Sequence, residues 1–133
     1  MKPSDDCPCG SGQFFARCCG VYLGGNSGAP TAAALMRSRY CAYALGDEAY
    51  LLRTWHPSTR PQSLGLGQEA TPQWIGLKLI AALGGNEKDA DGSVEFVARY
   101  KVNGKAHRLH EVSRFVKEQG EWFYLDGKLD NES

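Results

Sequence analysis

Four of the chain's five cysteines fall within thirteen positions, in the order Cys7-Pro8-Cys9, eight residues, Cys18-Cys19. Four thiolates this close suit a tetrahedral site for a soft metal ion, zinc above others. Such a clip folds a segment too short to own a hydrophobic core. Gly10-Ser11-Gly12 supplies the reversal between the two ligand pairs, because glycine accepts positive φ. Gly20 is expected to end the helical turn that carries Cys18 and Cys19. A disulfide framework competes poorly, since adjacent cysteines have the wrong geometry to bridge each other. Residues 1–6 are short and polar, without the apolar run of a secretory leader. The expectation is therefore a reducing cytoplasm and one structural zinc held by Cys7, Cys9, Cys18 and Cys19. Saturated coordination leaves no open position for a substrate, which removes catalysis from this segment.

The remainder has room for one domain of about 100 residues. Residues 22–30, with three glycines and a proline and no periodicity, mark a boundary. The organisation read from this is a zinc knuckle over 1–22, a linker over 23–30 and a domain over 31–133. Fifteen basic against fifteen acidic residues leave no surplus for a nucleic-acid surface. No run approaches the roughly 18 apolar residues that span a bilayer.

Thr31 reads as the cap of a helix through Ala32-Ala33-Ala34 to Leu45, stopped by Gly46. Leu35, Met36, Tyr40, Ala42, Tyr43 and Leu45 form its apolar face, with Arg37 and Ser38 largely off it. Asp47 caps a shorter helix through Leu52, which Pro57 is expected to close. Residues 57–72 form a polar loop, long enough to be a lid or simply an irregular edge. The period then changes to two. Val94, Phe96, Ala98 and Tyr100 share one face of a strand, and Asn103-Gly104 offers a hairpin turn. Leu109, Glu111, Ser113 and Phe115 alternate with His110, Val112, Arg114 and Val116, and Gly120 turns the chain into Trp122-Phe123-Tyr124-Leu125. Residues 76–82 fit helix or strand by composition. A three-stranded sheet would leave an open edge, so they are assigned as the first strand. Helices first and antiparallel strands after make an α+β fold, with helices on one face of an approximately four-stranded sheet.

The segment Cys-Pro-Cys-Gly-Ser-Gly-x5-Cys-Cys-Gly, matched from Cys7 to Gly20, resembles the SEC-C zinc knuckle known from the tail of the SecA translocation ATPase. That resemblance implies a protein-interaction module, with partners in secretion, chaperone or translation machinery. The stretch Gln13-Phe14-Phe15-Ala16-Arg17 lacks the lysines common in such knuckles, so Phe14 and Phe15 are expected to pack it against a neighbour. The likeness extends further. Leu35-Met36-Arg37-Ser38-Arg39-Tyr40, Trp55-His56-Pro57-Ser58-Thr59-Arg60, Val94-Glu95-Phe96-Val97-Ala98 and Trp122-Phe123-Tyr124-Leu125-Asp126-Gly127 resemble the YchJ-like bacterial family. This implies a cone of the nuclear transport factor 2 (NTF2) type, which leaves a pocket for a small ligand at its open end.

Three residues are candidates for chemistry in such a pocket. His56 suits acid–base work, or bonds a carbonyl at the end of its helix. Arg39, with Arg37, can recognise an anion or stand solvated. Glu111, on an otherwise apolar strand face, is a pocket base or the buried partner of Arg37 or Arg39. Cys41 reads as an inert buried thiol. No nucleotide loop and no Gly-x-Ser-x-Gly elbow is present. The reading that results is a non-enzymatic zinc protein with a ligand- or peptide-binding cone; its rival is a small-molecule enzyme using the same pocket, and RNA or ribosome association ranks third.

Overall fold

The helical half follows from its caps. In the computed structural model, which describes residues 4–25, 27–64 and 72–129, Thr31 Oγ1 accepts from the Ala34 amide at 3.0 Å and opens helix α2, Ala32–Leu45. Gly46 closes it in the left-handed region. Asp47 accepts from the Tyr50 amide at 3.0 Å and starts α3, Glu48–Arg53. α3 does not run on to Pro57. It stops at Thr54 because the following backbone pairs with the sheet: the Tyr124 amide donates to Thr54 O, and the His56 amide donates to Tyr124 O, both at 2.8 Å. Of the expected loop over 57–72, residues 65–71 lie outside the described residues.

Four strands follow, β1 Gln73–Gly84, β2 Asp91–Val102, β3 Lys105–Glu118 and β4 Glu121–Leu129. They form one antiparallel sheet in the order β1-β2-β3-β4. The ambiguous segment is thus a strand, extended beyond 76–82 at both ends. Asn103-Gly104 and Gln119-Gly120 make the tight turns, each with positive φ at both residues. The sheet curves because it is bulged. Ile75 and Ile80 are extra residues in β1 and Leu125 is one in β4, and each bends its strand.

α2 lies in that curve. Leu35, Met36, Tyr40 and Cys41 meet Val94, Phe96, Ala98, Phe115 and Trp122 of the sheet, while Ala42 packs with Tyr50 and Leu51 of α3. The expected polar strip does not face outward. Ser38 is fully buried and bonds the Tyr50 hydroxyl at 2.7 Å and the Leu35 carbonyl at 2.8 Å. The result is the α+β cone read from the sequence, with an N-terminal cysteine cluster on the flank of α2.

In that N-terminal segment, a 3-10 turn at Phe15–Arg17 leads into α1, Cys19–Leu23. Gly20 does not end a helix; it sits inside α1, which closes at Gly24. Its role is contact. A Cβ at Gly20 would lie 2.6 Å from Phe15 O and 3.0 Å from the Phe15 ring. Of the two phenylalanines, Phe15 joins the core and Phe14 stays 52% exposed. Gly20→Ala should therefore loosen α1. An alanine in a helix interior ordinarily gains up to about 1 kcal/mol over glycine, whereas overpacking here should cost about 1–3 kcal/mol. Faster hydrogen exchange at the α1 amides would give the sign, and slower exchange would contradict the contact.

Candidate metal centre and cone pocket

A tight loop and a short helix bring the first four thiols together. The Cys7 amide donates to Gln13 O at 2.9 Å and the Gly10 amide to Cys7 O at 3.1 Å, with Gly10 and Gly12 at φ 80° and 83°. α1 then presents Cys19 beside Cys18. The sulfurs of Cys7, Cys9, Cys18 and Cys19 all lie within 4.8 Å of one another. Cys9 is 3.7 Å from Cys18, and Cys18 is 4.0 Å from Cys19. A metal–sulfur bond of about 2.3 Å implies a tetrahedron edge of about 3.8 Å. The tetrad is already at metal-binding spacing.

Protons divide unequally within it. Hydrogen bonds from Cys19 and then Cys41 hold the Cys9 thiol far below its ordinary range, while the Cys19 thiol is pushed far up by its bonds to Cys41 and Cys9. A divalent cation held by Cys7, Cys9, Cys18 and Cys19 would displace their protons and let all four sulfurs ionise.

Two residues of α2 complete the surroundings. Arg37 Nη1 donates to Cys9 O at 3.0 Å and stands 3.8 Å from Cys9 Sγ. It sets a guanidinium against a site that is net negative when four thiolates hold a divalent ion. Cys41, one helical turn on, is fully buried and 3.5 Å from Cys7 Sγ. Its burial matches the sequence reading; its contact with the cluster was missed. The signal was the four-residue spacing of Arg37 and Cys41, which places both on one helix face.

On another side of α2 the sheet leaves a cavity of about 260 Å³, with Met36, Tyr43, Trp74 and Tyr124 on its wall and both Arg39 and Glu111 reaching it. Arg39 is 3% exposed. Its Nη1 donates to Leu51 O at 2.8 Å and Thr54 Oγ1 at 2.7 Å, and its guanidinium lies 4.5 Å from the Tyr124 ring centre and 5.1 Å from that of Trp55. Burial lowers its pKa. Glu111 accepts from the Ser113 hydroxyl at 2.6 Å. The carboxylate partner expected for Arg37 or Arg39 is thus held by Ser113, and Arg37 serves Cys9 instead.

His56 stands apart from both charges. Its Nδ1 meets Ser58 Oγ at 2.7 Å, its Nε2 meets Glu118 Oε2 at 2.8 Å, and its ring packs edge-on against Phe123. It lines neither the cone pocket nor a more open cleft of about 620 Å³ that Tyr22, Gly25 and Ser27 line from one side and Gly120 and Glu121 of the β3–β4 turn from another. Among the described residues, no helix is long and apolar enough to cross a membrane.

Residues 31–127 match the family model described as the YchJ middle NTF2-like domain, and residues 4–20 match the SEC-C motif. A UPF0225 protein of Chromobacterium violaceum is 61% identical over 123 residues, covering 91% of this chain and 90% of that one. A UPF0225 protein of Streptomyces coelicolor is 46% identical over 127 residues, covering 96% and 98%. The solution structure of a SEC-C motif containing protein from Rhodopseudomonas palustris superposes with a TM-score of 0.81 at 34% identity, over 94% of this chain and 98% of that one. The crystal structure of another from Psychrobacter arcticus gives 0.75 at 26% identity, over 100% and 88%.

The buried phenols around α2 set a pH limit. Burial pushes Tyr40 up to about 12 and raises Tyr43, Tyr50 and Tyr124 above the ordinary tyrosine range. The folded state thus favours the neutral phenol relative to an unfolded pKa of about 10. That stabilisation is fully present below pH of about 10 and is lost as pH rises toward about 12. Phenolate absorbance should rise together with unfolding in that window. Titration of these tyrosines near pH 10 in a folded protein would contradict their burial.

Proposed function

The chain belongs to the UPF0225 family, a SEC-C motif joined to a YchJ-type NTF2-like domain, and on that footing we propose that it is a cytoplasmic, zinc-stapled binding protein. Zinc takes Cys7, Cys9, Cys18 and Cys19 as a closed structural site. The outward loop of the knuckle, with Phe14 exposed, is offered to a protein partner in secretion, chaperone or translation machinery. The cone takes a small, mainly apolar ligand.

The observation that carries this reading is the state of the pocket's polar groups. The 260 Å³ cavity is walled by aromatic side chains, and its two charged residues already spend hydrogen bonds on protein neighbours. A few fixed polar groups in an apolar cavity orient a ligand. One contact supports the rival enzyme reading: the Ser113–Glu111 pair at 2.6 Å places a carboxylate and a hydroxyl together at the pocket.

Two measurements test the proposal. Elemental analysis of the purified protein should give one zinc per chain, retained on dialysis and removed by a strong chelator. The neutral fluorophore N-phenyl-1-naphthylamine should bind saturably at one equivalent, and Ala98→Phe, which fills the pocket wall, should abolish that binding while the fold persists. Undiminished binding by the filled variant would place the fluorophore elsewhere and sink the pocket reading. Glu111→Gln, which keeps the Ser113 hydrogen bond, should alter fluorophore affinity by less than about threefold if the carboxylate only orients.

A further inference from the structure

Zinc in the tetrad leaves a fifth thiol unassigned. Cys41 is fully buried and 3.5 Å from Cys7 Sγ, and Cys19 and Cys9 are among the thiols that act on it. Cys18 is the member of the tetrad that is not fully enclosed, with a Ser11 hydroxyl 3.1 Å away. Three sulfurs, those of Cys7, Cys9 and Cys19, are therefore flanked by two others: Cys18 toward solvent and Cys41 from α2.

We propose that Cys41 is a reserve metal ligand, and that Cys7, Cys9, Cys19 and Cys41 hold the ion when Cys18 is lost. This rests on the zinc reading of the tetrad. Its spacing already suits the task, because 3.5 Å to Cys7 is close to the tetrahedron edge of about 3.8 Å. Cys41 is also pre-positioned. α2 is held by its caps and by packing against the sheet and α3, and Arg37 on the same helix face anchors Cys9. The least buried thiolate, here the half-buried Cys18, is the ligand that electrophiles reach first. When an alkyl halide takes Cys18, a carbon–sulfur bond forms and halide leaves. Cys41 then releases its proton to solvent and binds as thiolate, so the coordination stays four-sulfur and its charge is unchanged. The ion has only to shift within a cage in which three ligands are shared.

Cobalt substitution of the full chain reads the number of thiolates directly. Wild type should bind one cobalt with the charge-transfer intensity of four thiolates. Cys18→Ser should keep that intensity and one metal per chain, Cys41→Ser should keep it through Cys18, and the double variant should fall to three thiolates and yield its metal to a chelator the others resist. Three-thiolate intensity in Cys18→Ser alone would overturn the reserve role, and so would the same loss in Cys41→Ser, which would make Cys41 a resident ligand. Failure of wild type to take up zinc or cobalt would instead overturn the metal reading beneath it. A measurement without substitutions covers variants that do not fold. Zinc-loaded wild type treated with iodoacetamide should retain zinc in the species modified at Cys18 alone, seen by intact mass spectrometry. Loss of zinc in step with Cys18 modification would refute the proposal.

Discussion

Helix α2 is buried along most of its length, and both candidate sites depend on how its residues divide around the axis. Arg37 and Cys41 stand four residues apart and reach the cysteines; Arg39 and Tyr43 stand four apart and reach the cone pocket. A step of four keeps side chains on one face, while the step of two from Arg37 to Arg39 turns about 200° around the helix. A single rigid element therefore holds the thiols on one side and the pocket wall on the other. Its caps, Thr31 and Gly46, fix where both begin.

The cysteine segment is joined to this helix through its interior. Cys7, Cys9 and Cys19 belong to the same buried cluster as Leu35, Met36 and Phe115, and Phe15 packs against it. A segment of this length cannot bury enough apolar surface to fold by itself, so it leans on its host's core, beside four thiols spaced to accept a metal clip. The indole of Trp122 adds a tie farther along, donating to Pro30 O at 3.1 Å.

The pocket is shaped by the cost of burying charge. Among the described residues no carboxylate forms a salt bridge with Arg39, although Glu111 shares its cavity, and an unpartnered guanidinium would be expelled from such a place. It is retained by a carbonyl, a hydroxyl and two aromatic faces, which offset desolvation without a buried ion pair. That solution consumes the short backbone link between the end of α3 and β4, since Thr54 accepts from Arg39 and from Tyr124 at once. Charge placement and the early end of α3 have one cause.

Much of the fold was legible because local chemistry determines it. Caps at Thr31 and Asp47, the Asn103-Gly104 turn, the two-residue period of β2 and β3, and the spacing of the first four cysteines are all properties of neighbouring residues. What misled were residues whose roles depend on distant partners. Gly20 was read as a terminator, but the Phe15 carbonyl decides it; Pro57 was expected to close α3, but Tyr124, some seventy positions on, does so earlier. Ser38 falls largely off the apolar face by periodicity, yet Tyr50 covers it. Periodicity shows which face a residue occupies and is silent on what packs there. The sequence by itself determined four thiols at metal-binding spacing and an α+β order of elements, because both are set by short-range geometry. Only the tertiary structure decided that Cys41 would join those thiols and that Arg39 and Glu111, but not His56, would share a cavity, because those meetings depend on a sheet bent by bulges around one buried helix.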